Sequence, residues 1–282
     1  MSVRIIIDSA CDMTQEEAAD LGIDLLPLTV TFGEKSYRDS VDISHDQFFE
    51  KLIESDELPV TSQITPFAYR ELFKAVCNAG DTAVCITLSS KLSGCWQSAC
   101  MAAEEFSGRV QVVDSENACV GQRLLAELAA RMRGAGHTAV EIAERLDKEK
   151  KRIRLIALLD TLEYLKRGGR ISKTAAFAGG ILSVKPVIAI ENGTVAVLGR
   201  ARGSKNGSNM LKERVSKEKI DFSMPYCLAY SGLSDTMLRK YIEDSNELYP
   251  CRPEDLPRSS IGAVIGTHIG PGAIAAAYFV MQ

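Results

Sequence analysis

The first half of the chain repeats one pattern, a short apolar run that stops at a polar pair. Arg4-Ile5-Ile6-Ile7 ends at Asp8-Ser9, and Ala83-Val84-Cys85-Ile86-Thr87-Leu88 ends at Ser89-Ser90. Val110-Gln111-Val112-Val113 ends at Asp114-Ser115, and Leu155-Ile156-Ala157-Leu158-Leu159 ends at Asp160-Thr161. Runs of this length, apolar at nearly every position, predict strands buried on both faces. The intervening segments carry helix signals. Thr14-Gln15-Glu16-Glu17 and Thr138-Ala139-Val140-Glu141 are capping boxes. Thr65-Pro66 sets a cap and a first-turn proline before Phe67, Leu72, Phe73 and Val76 at helical spacing. Strand and helix in alternation predict a parallel sheet with right-handed crossovers.

Two segments break the alternation. Leu25 to Arg38 predicts a hairpin around Gly33, and Val187 to Leu198 predicts a stronger one around Asn192-Gly193. Further on, the pattern predicts helices near 209–217 and 236–245 and strands near 226–230, 261–265 and 275–280. The expected class is α/β: a parallel-sheet N-terminal domain with flanking helices, residues 1–160, and an α+β C-terminal domain with antiparallel hairpins, residues 161–282. The boundary falls near 155–165, and the hairpin at 25–38 is expected to pack with the second domain.

Composition narrows the function. The chain has 282 residues, 46% of them hydrophobic and 25% charged, which fits a globular protein rather than a disordered one. No apolar run reaches the roughly 18–20 residues of a membrane-spanning helix, and the apolar start is too short for a signal peptide, so the expected location is the cytoplasm. A net charge of −4 argues against nucleic acid as a partner. The densest basic stretch, Lys148 to Arg154, reads as a solvated helix end entering a strand. The eight cysteines contain no C-x-x-C pair and read as reduced, mostly buried thiols. No metal, cofactor or catalytic residue is expected. Asp8 and Asp12 read as helix caps rather than metal ligands.

Three separated polar clusters carry the candidate chemistry: Thr61-Ser62-Gln63, Ser89-Ser90-Lys91-Leu92-Ser93-Gly94, and Gly266-Thr267-His268-Ile269-Gly270-Pro271-Gly272. Open parallel sheets bind ligands at the carboxyl ends of their strands, where such clusters lie. Ser93 is the expected N-cap of a helix from Trp96 to Glu105, whose free N–H groups would attract an anion. His268 stands among glycines that let backbone approach closely. Brought together, the clusters would form a neutral hydrogen-bonding anion site. Arg170 follows the Gly168-Gly169 helix stop, and Arg202 leaves the second hairpin. His45 and His137 read as surface or capping residues. No Walker A loop, dinucleotide fingerprint or nucleophile elbow is present.

These clusters, with Asp8-Ser9…Asp12, Gln97-Ser98-Ala99, Val113-Asp114-Ser115 and Leu162 through Ile171, make the chain resemble the DegV family of bacterial fatty-acid-binding proteins over its full length. The resemblance implies a long-chain fatty acid buried between the two domains, its carboxylate held by Thr61, Ser93 and His268, with Ser62, Gly94, Thr267 and Gly270 in support. It also implies a separate ATP-dependent fatty acid kinase subunit as partner, which phosphorylates the bound carboxylate to an acyl phosphate. Arg170 and Arg202 would face that partner or the phosphate, and transient membrane contact would accompany lipid exchange. The chain departs from the family at Cys95-Trp96, which is expected to reshape the pocket wall, and at Pro66, displaced by two residues. Two other readings stand beside the carrier: a Ser93–His268 acyl hydrolase, and a lipid-responsive regulatory protein.

Overall fold

The computed structural model describes residues 2–106, 108–171 and 184–282. The chain runs β1 (Val3–Asp8), α1 (Gln15–Asp20), β2 (Ile23–Leu26), β3 (Thr29–Phe32), β4 (Lys35–Arg38), α2 (His45–Glu54), β5 (Val60–Ser62), α3 (Pro66–Asn78), β6 (Thr82–Thr87), α4 (Cys95–Ala103), β7 (Val110–Asp114), α5 (Cys119–Gly134) and α6 (Ala139–Glu149). It continues through β8 (Ile153–Leu158), α7 (Glu163–Arg167), β9 (Val184–Glu191), β10 (Thr194–Arg202), α8 (Gly203–Ser216), β11 (Tyr226–Tyr230), α9 (Thr236–Asp244), β12 (Arg258–Ser260), α10 (Ala263–Ile269) and β13 (Ile274–Phe279). Ser172, the end of the basic-glycine motif after Leu165, lies outside the described residues.

The fold is α/β. A four-stranded parallel sheet in the order β2-β1-β6-β7 forms from the first three apolar runs plus Ile23–Leu26. Its central strands are buried on both faces, with Ile5, Ile6, Ile7, Val84 and Ile86 fully covered, as continuous apolar runs require. The capping boxes at Thr14 and Thr138 form as the sequence predicts, each hydroxyl accepting from the third helical N–H. Thr65 caps α3 in the same manner.

A six-stranded mixed sheet follows, in the order β10-β9-β8-β13-β11-β12. Asn192 and Gly193 both take positive φ, 49° and 79°, and close the β9–β10 hairpin with Glu191 opposite Thr194. That is the geometry an Asn-Gly turn supplies. The run at 155–159, expected in the parallel sheet, forms β8 of the mixed sheet instead, antiparallel to both β9 and β13. The change of sheet therefore comes before Ile153. An apolar run specifies burial on two faces but not its partners, so its local pattern was the same.

The first hairpin is shorter than expected. Leu25 and Leu26 belong to β2 and the parallel sheet, while β3 and β4 pair around Gly33-Glu34. With β5 they make a third sheet, in the order β4-β3-β5. Its Val30 and Phe32, with Leu28 just before β3, share one apolar cluster with Phe48, Phe49 and Phe73, and with Ala263 and Val264 of α10. This small sheet thereby ties the N-terminal half to the C-terminal helix that carries His268. No helix among the described residues is long and apolar enough to cross a membrane.

Candidate functional site

The segment around Gly266-Thr267-His268, expected after a strand at 261–265, is helical: α10 runs from Ala263 to Ile269 and places His268 in its last turn. Gly262 and Ala263 at its start have no side-chain cap of their own. Two buried carboxylates from distant segments do that work. Asp12 Oδ1 accepts from the Gly262 N–H at 2.8 Å, and Asp39 Oδ1 accepts from the Ala263 N–H at 3.1 Å. A side-chain oxygen at a helix start satisfies a backbone N–H that has no partner within the helix. Asp8 plays a similar part beneath the second cluster: it accepts from the Leu88 N–H at 2.7 Å and from Gln122 Nε2 at 3.0 Å. Burial pushes Asp8 up to about 7 and Asp12 up to about 8, and raises Asp39 as well. Asp8 caps only the short turn at Ser9–Cys11, and Asp12 caps the distant α10 rather than, as expected from sequence, the helix that follows it; α1 is capped by Thr14. Asp39 was missed, because its partner lies 224 residues away.

Thr61 sits on β5, opposite Val30 of β3. Its Oγ1 is 2.9 Å from His268 Nε2. The other ring nitrogen, Nδ1, is buried and has no hydrogen-bond partner among the described residues. Burial first, and the Arg170 guanidinium second, hold the imidazole down at about 4, so it is neutral near pH 7. Its ring rests against Gly168, where an added Cβ would stand 2.3 Å from Nδ1. Gly270, which ends α10 with φ 70°, packs under the Tyr164 ring, and a Cβ there would stand 2.2 Å from a ring carbon. The glycines around His268 thus serve close packing, as their crowding suggested.

Ser93 lies one residue before the cap of α4. The helix begins at Cys95 with Gly94 as N-cap, so the cap falls one residue later than expected, and Ser93 Oγ accepts from the Cys95 N–H at 3.3 Å. Ser93 is therefore not the cap, but its hydroxyl still stands at the helix start. Gln63, beside Thr61 in sequence, donates from Nε2 to Ser98 Oγ at 3.0 Å and lies against Gly94. It joins the first cluster to the second.

Thr61, Ser93 and His268 line one cavity, together with Ser62, Gln63, Gly94 and Arg170. Apart from Cys119 the rest of the wall is aliphatic, including Leu92, Leu155, Leu165, Ile188, Ile190 and Val264. The cavity volume is about 190 Å³. The polar groups are confined to residues of the three clusters and Arg170, so the cavity has a polar end and an apolar body. The aliphatic lining was missed as a site in the sequence, because it reads as sheet core. Arg170 donates from Nε to Leu92 O at 3.2 Å and from Nη1 to Gly168 O at 2.6 Å. It spans the loop before Ser93 and the turn against His268.

Other expectations change. Thr267 is buried, and its hydroxyl donates to Ala263 O at 2.8 Å, so it braces α10 and does not line the cavity. Gly270 also lies outside the lining. Arg202 is exposed at the cap position of α8 and does not line the cavity either. Cys95 is buried beside Ser93 and Trp96 is 37% exposed, and neither forms the cavity wall. His45, read as a surface or capping residue, is buried at the start of α2, with Nδ1 2.7 Å from Ser260 Oγ and Nε2 3.2 Å from Ser40 Oγ.

The chain is similar over its full length to known proteins. A family model described as an uncharacterised protein, DegV family, matches residues 2–280. A DegV domain-containing protein of Caldanaerobacter subterraneus is 34% identical over 277 residues, covering 96% of both chains. A solved DegV family protein of Thermus thermophilus, described by its fatty acid binding, superposes with a TM-score of 0.85 at 30% identity, covering 100% of each chain. A stearic-acid-binding protein of Eubacterium ventriosum superposes with a TM-score of 0.86 at 27% identity, covering 99% of this chain and 98% of that one. The chain belongs to the DegV family.

Proposed function

We propose that this protein binds one long-chain fatty acid, with the acyl tail in the aliphatic body of the cavity and the carboxylate at Thr61, Ser93 and His268. The observation that carries the reading is the joining of Thr61 to His268 at the polar end of an otherwise aliphatic cavity. Fatty acid binding by the Thermus and Eubacterium proteins supports it. Each buried methylene contributes about 0.8 kcal/mol, so a long tail supplies most of the affinity. The head-group donors meet the cost of desolvating a carboxylate, which is prohibitive without them.

The proton inventory fits. A neutral His268 that donates from Nε2 to Thr61 Oγ1 leaves the Thr61 hydroxyl proton for a carboxylate oxygen. Ser93 supplies a second hydroxyl, and the start of α4 adds backbone N–H groups. No lysine is among the described residues that line the cavity, so the carboxylate is held by hydroxyls rather than fixed on an ammonium group. On this reading the protein is a carrier. It presents the carboxylate to a separate ATP-dependent kinase subunit, which forms the acyl phosphate by attack of a carboxylate oxygen on the γ-phosphorus with loss of ADP. Arg170, beside the head group and exposed, is placed to meet the transferred phosphoryl group or the partner. Arg202 serves that partner only from the surface. Cytoplasmic location and brief membrane contact during lipid exchange belong to the same proposal.

The test is titration of the lipid-free protein with a fatty acid and with the matching methyl ester. Tight binding of the acid, with binding of the ester weaker by tenfold or more, supports the reading. Equal binding of acid and ester would remove the carboxylate from the Thr61–Ser93–His268 end.

A further inference from the structure

Part of the aliphatic wall, at Leu155 and Ile190, lies just beyond the point where the β8–β9 ladder stops. Strands β8 and β13 pair along all of β8, from Ile153 to Leu158. Strands β8 and β9 pair only at Ile156–Ala189, Ala157–Ile188 and Leu158–Val187. Beyond Ala189, β9 follows β10 into the Asn192-Gly193 turn. Leu155 and Ile190 therefore stand at the next positions of the two strands, outside the ladder.

A second, open cleft begins on the far side. It is lined by Glu116, Lys150, Lys151, Arg154, Arg214 and Glu218, among others. Its wall is charged and internally paired: Lys150 meets Glu116 at 3.1 Å, and Arg154 meets Glu218 at 3.9 Å. Leu155, Ala189 and Ile190 line both the aliphatic cavity and this cleft. Two cavities of opposite polarity are thus separated by one layer of side chains. Ala189 has little to contribute, which leaves Leu155 and Ile190 as the partition.

We propose that Leu155 and Ile190 are the chain-length stop of the acyl site, an inference that rests on the fatty acid reading above. A tail that reaches them has used the apolar wall, because the next surface is ionic. A methyl terminus gains by burial against aliphatic carbon and loses by displacing water from paired charges. Affinity therefore rises by about fourfold for each added methylene, until the terminus meets the partition, and then stops rising. Leu155→Ala removes three side-chain carbons and joins the two cavities, and Ile190→Ala does so from the opposite strand. Leu155→Phe fills the same space and brings the stop closer to the head group.

The experiment is titration of lipid-free wild type, Leu155→Ala, Ile190→Ala and Leu155→Phe with saturated fatty acids of increasing length, with thermal melts to confirm folding. Wild type should show the rise and a break. Both alanine variants should move the break to acids longer by about two or three methylenes, with affinities for the shortest acids within about twofold of wild type. Leu155→Phe should move it to shorter acids. Ile190, only half-buried, keeps the test valid if Leu155→Ala fails to fold. A break that stays put in folded variants overturns the partition and leaves the fatty acid reading intact. Failure of wild type to bind any length overturns both.

Discussion

Thr61→Val tests the polar end of the cavity with the least disturbance of shape. Valine keeps the branched volume and suits β5, so the change is chiefly the loss of one hydroxyl. Two effects follow. In the lipid-free protein, His268 Nε2 loses its partner at 2.9 Å, and the ring then has neither nitrogen paired among the described residues. A buried polar atom left unsatisfied costs about 1–3 kcal/mol, so the melting temperature should fall by a few degrees. In the complex, a hydrogen bond to a charged group is lost, worth about 1.5–3 kcal/mol. The midpoint, about 2 kcal/mol, is a loss of roughly 30-fold in affinity. The tail supplies about 0.8 kcal/mol per methylene, so the variant should bind a given acid about as well as wild type binds one shorter by two or three methylenes. Isothermal titration across a series of acids separates the two terms. Plots of log Kd against chain length should be parallel, with the variant displaced by a constant. A displacement below about threefold, or a changed slope, would place the carboxylate away from Thr61 and refute the argument.

Three further outcomes follow from the same geometry. Gly168→Ala puts a Cβ 2.3 Å from His268 Nδ1 at an ordinary helical φ of −70°, so fatty acid affinity should fall by tenfold or more in titration while the fold survives. His268 stays neutral in the folded protein down to about 4, whereas the unfolded imidazole takes up its proton near 6.5. That contribution is therefore present above about pH 6.5 and is lost as pH falls toward 4, by about 3 kcal/mol at most. Denaturation of His268→Gln across that range should show a flatter acid limb than wild type. For Asp12 the sign reverses: the unfolded carboxyl ionises near 4 while the folded one keeps its proton to about 8. Stability declines across that interval, and Asp12→Asn, measured in the same way, should flatten the decline.

The sequence made the site residues legible and much of their support illegible. Small hydroxyls and glycine at the ends of apolar runs usually serve as caps and turns, and Thr61, Ser93 and His268 stood out through the resemblance of their motifs to the DegV family. The helical state of Ala263–Ile269 did not, because Ile-Gly-Ala-Val-Ile-Gly has weak helix propensity and no local cap. Its caps are Asp12 and Asp39, which lie 250 and 224 residues away from their bonded partners. The strand at Ile153–Leu158 failed for a related reason. Its apolar run states that both faces are buried, but the choice between Val110–Asp114 and Ile274–Phe279 as neighbours is made by the whole chain. The Asn192-Gly193 hairpin succeeded because its turn is dictated by two residues. The end of the β8–β9 ladder at Ile156–Ala189, beyond which Leu155 and Ile190 line both cavities, has no signal in either strand alone.

Native mass spectrometry of the purified protein, followed by organic extraction and identification of the released lipid, tests the central claim most directly. The account predicts one fatty acid per chain, retained by wild type and depleted when Thr61, Ser93 and His268 are replaced together. A protein that carries no lipid, and that takes up none from an excess of added fatty acids, would contradict it.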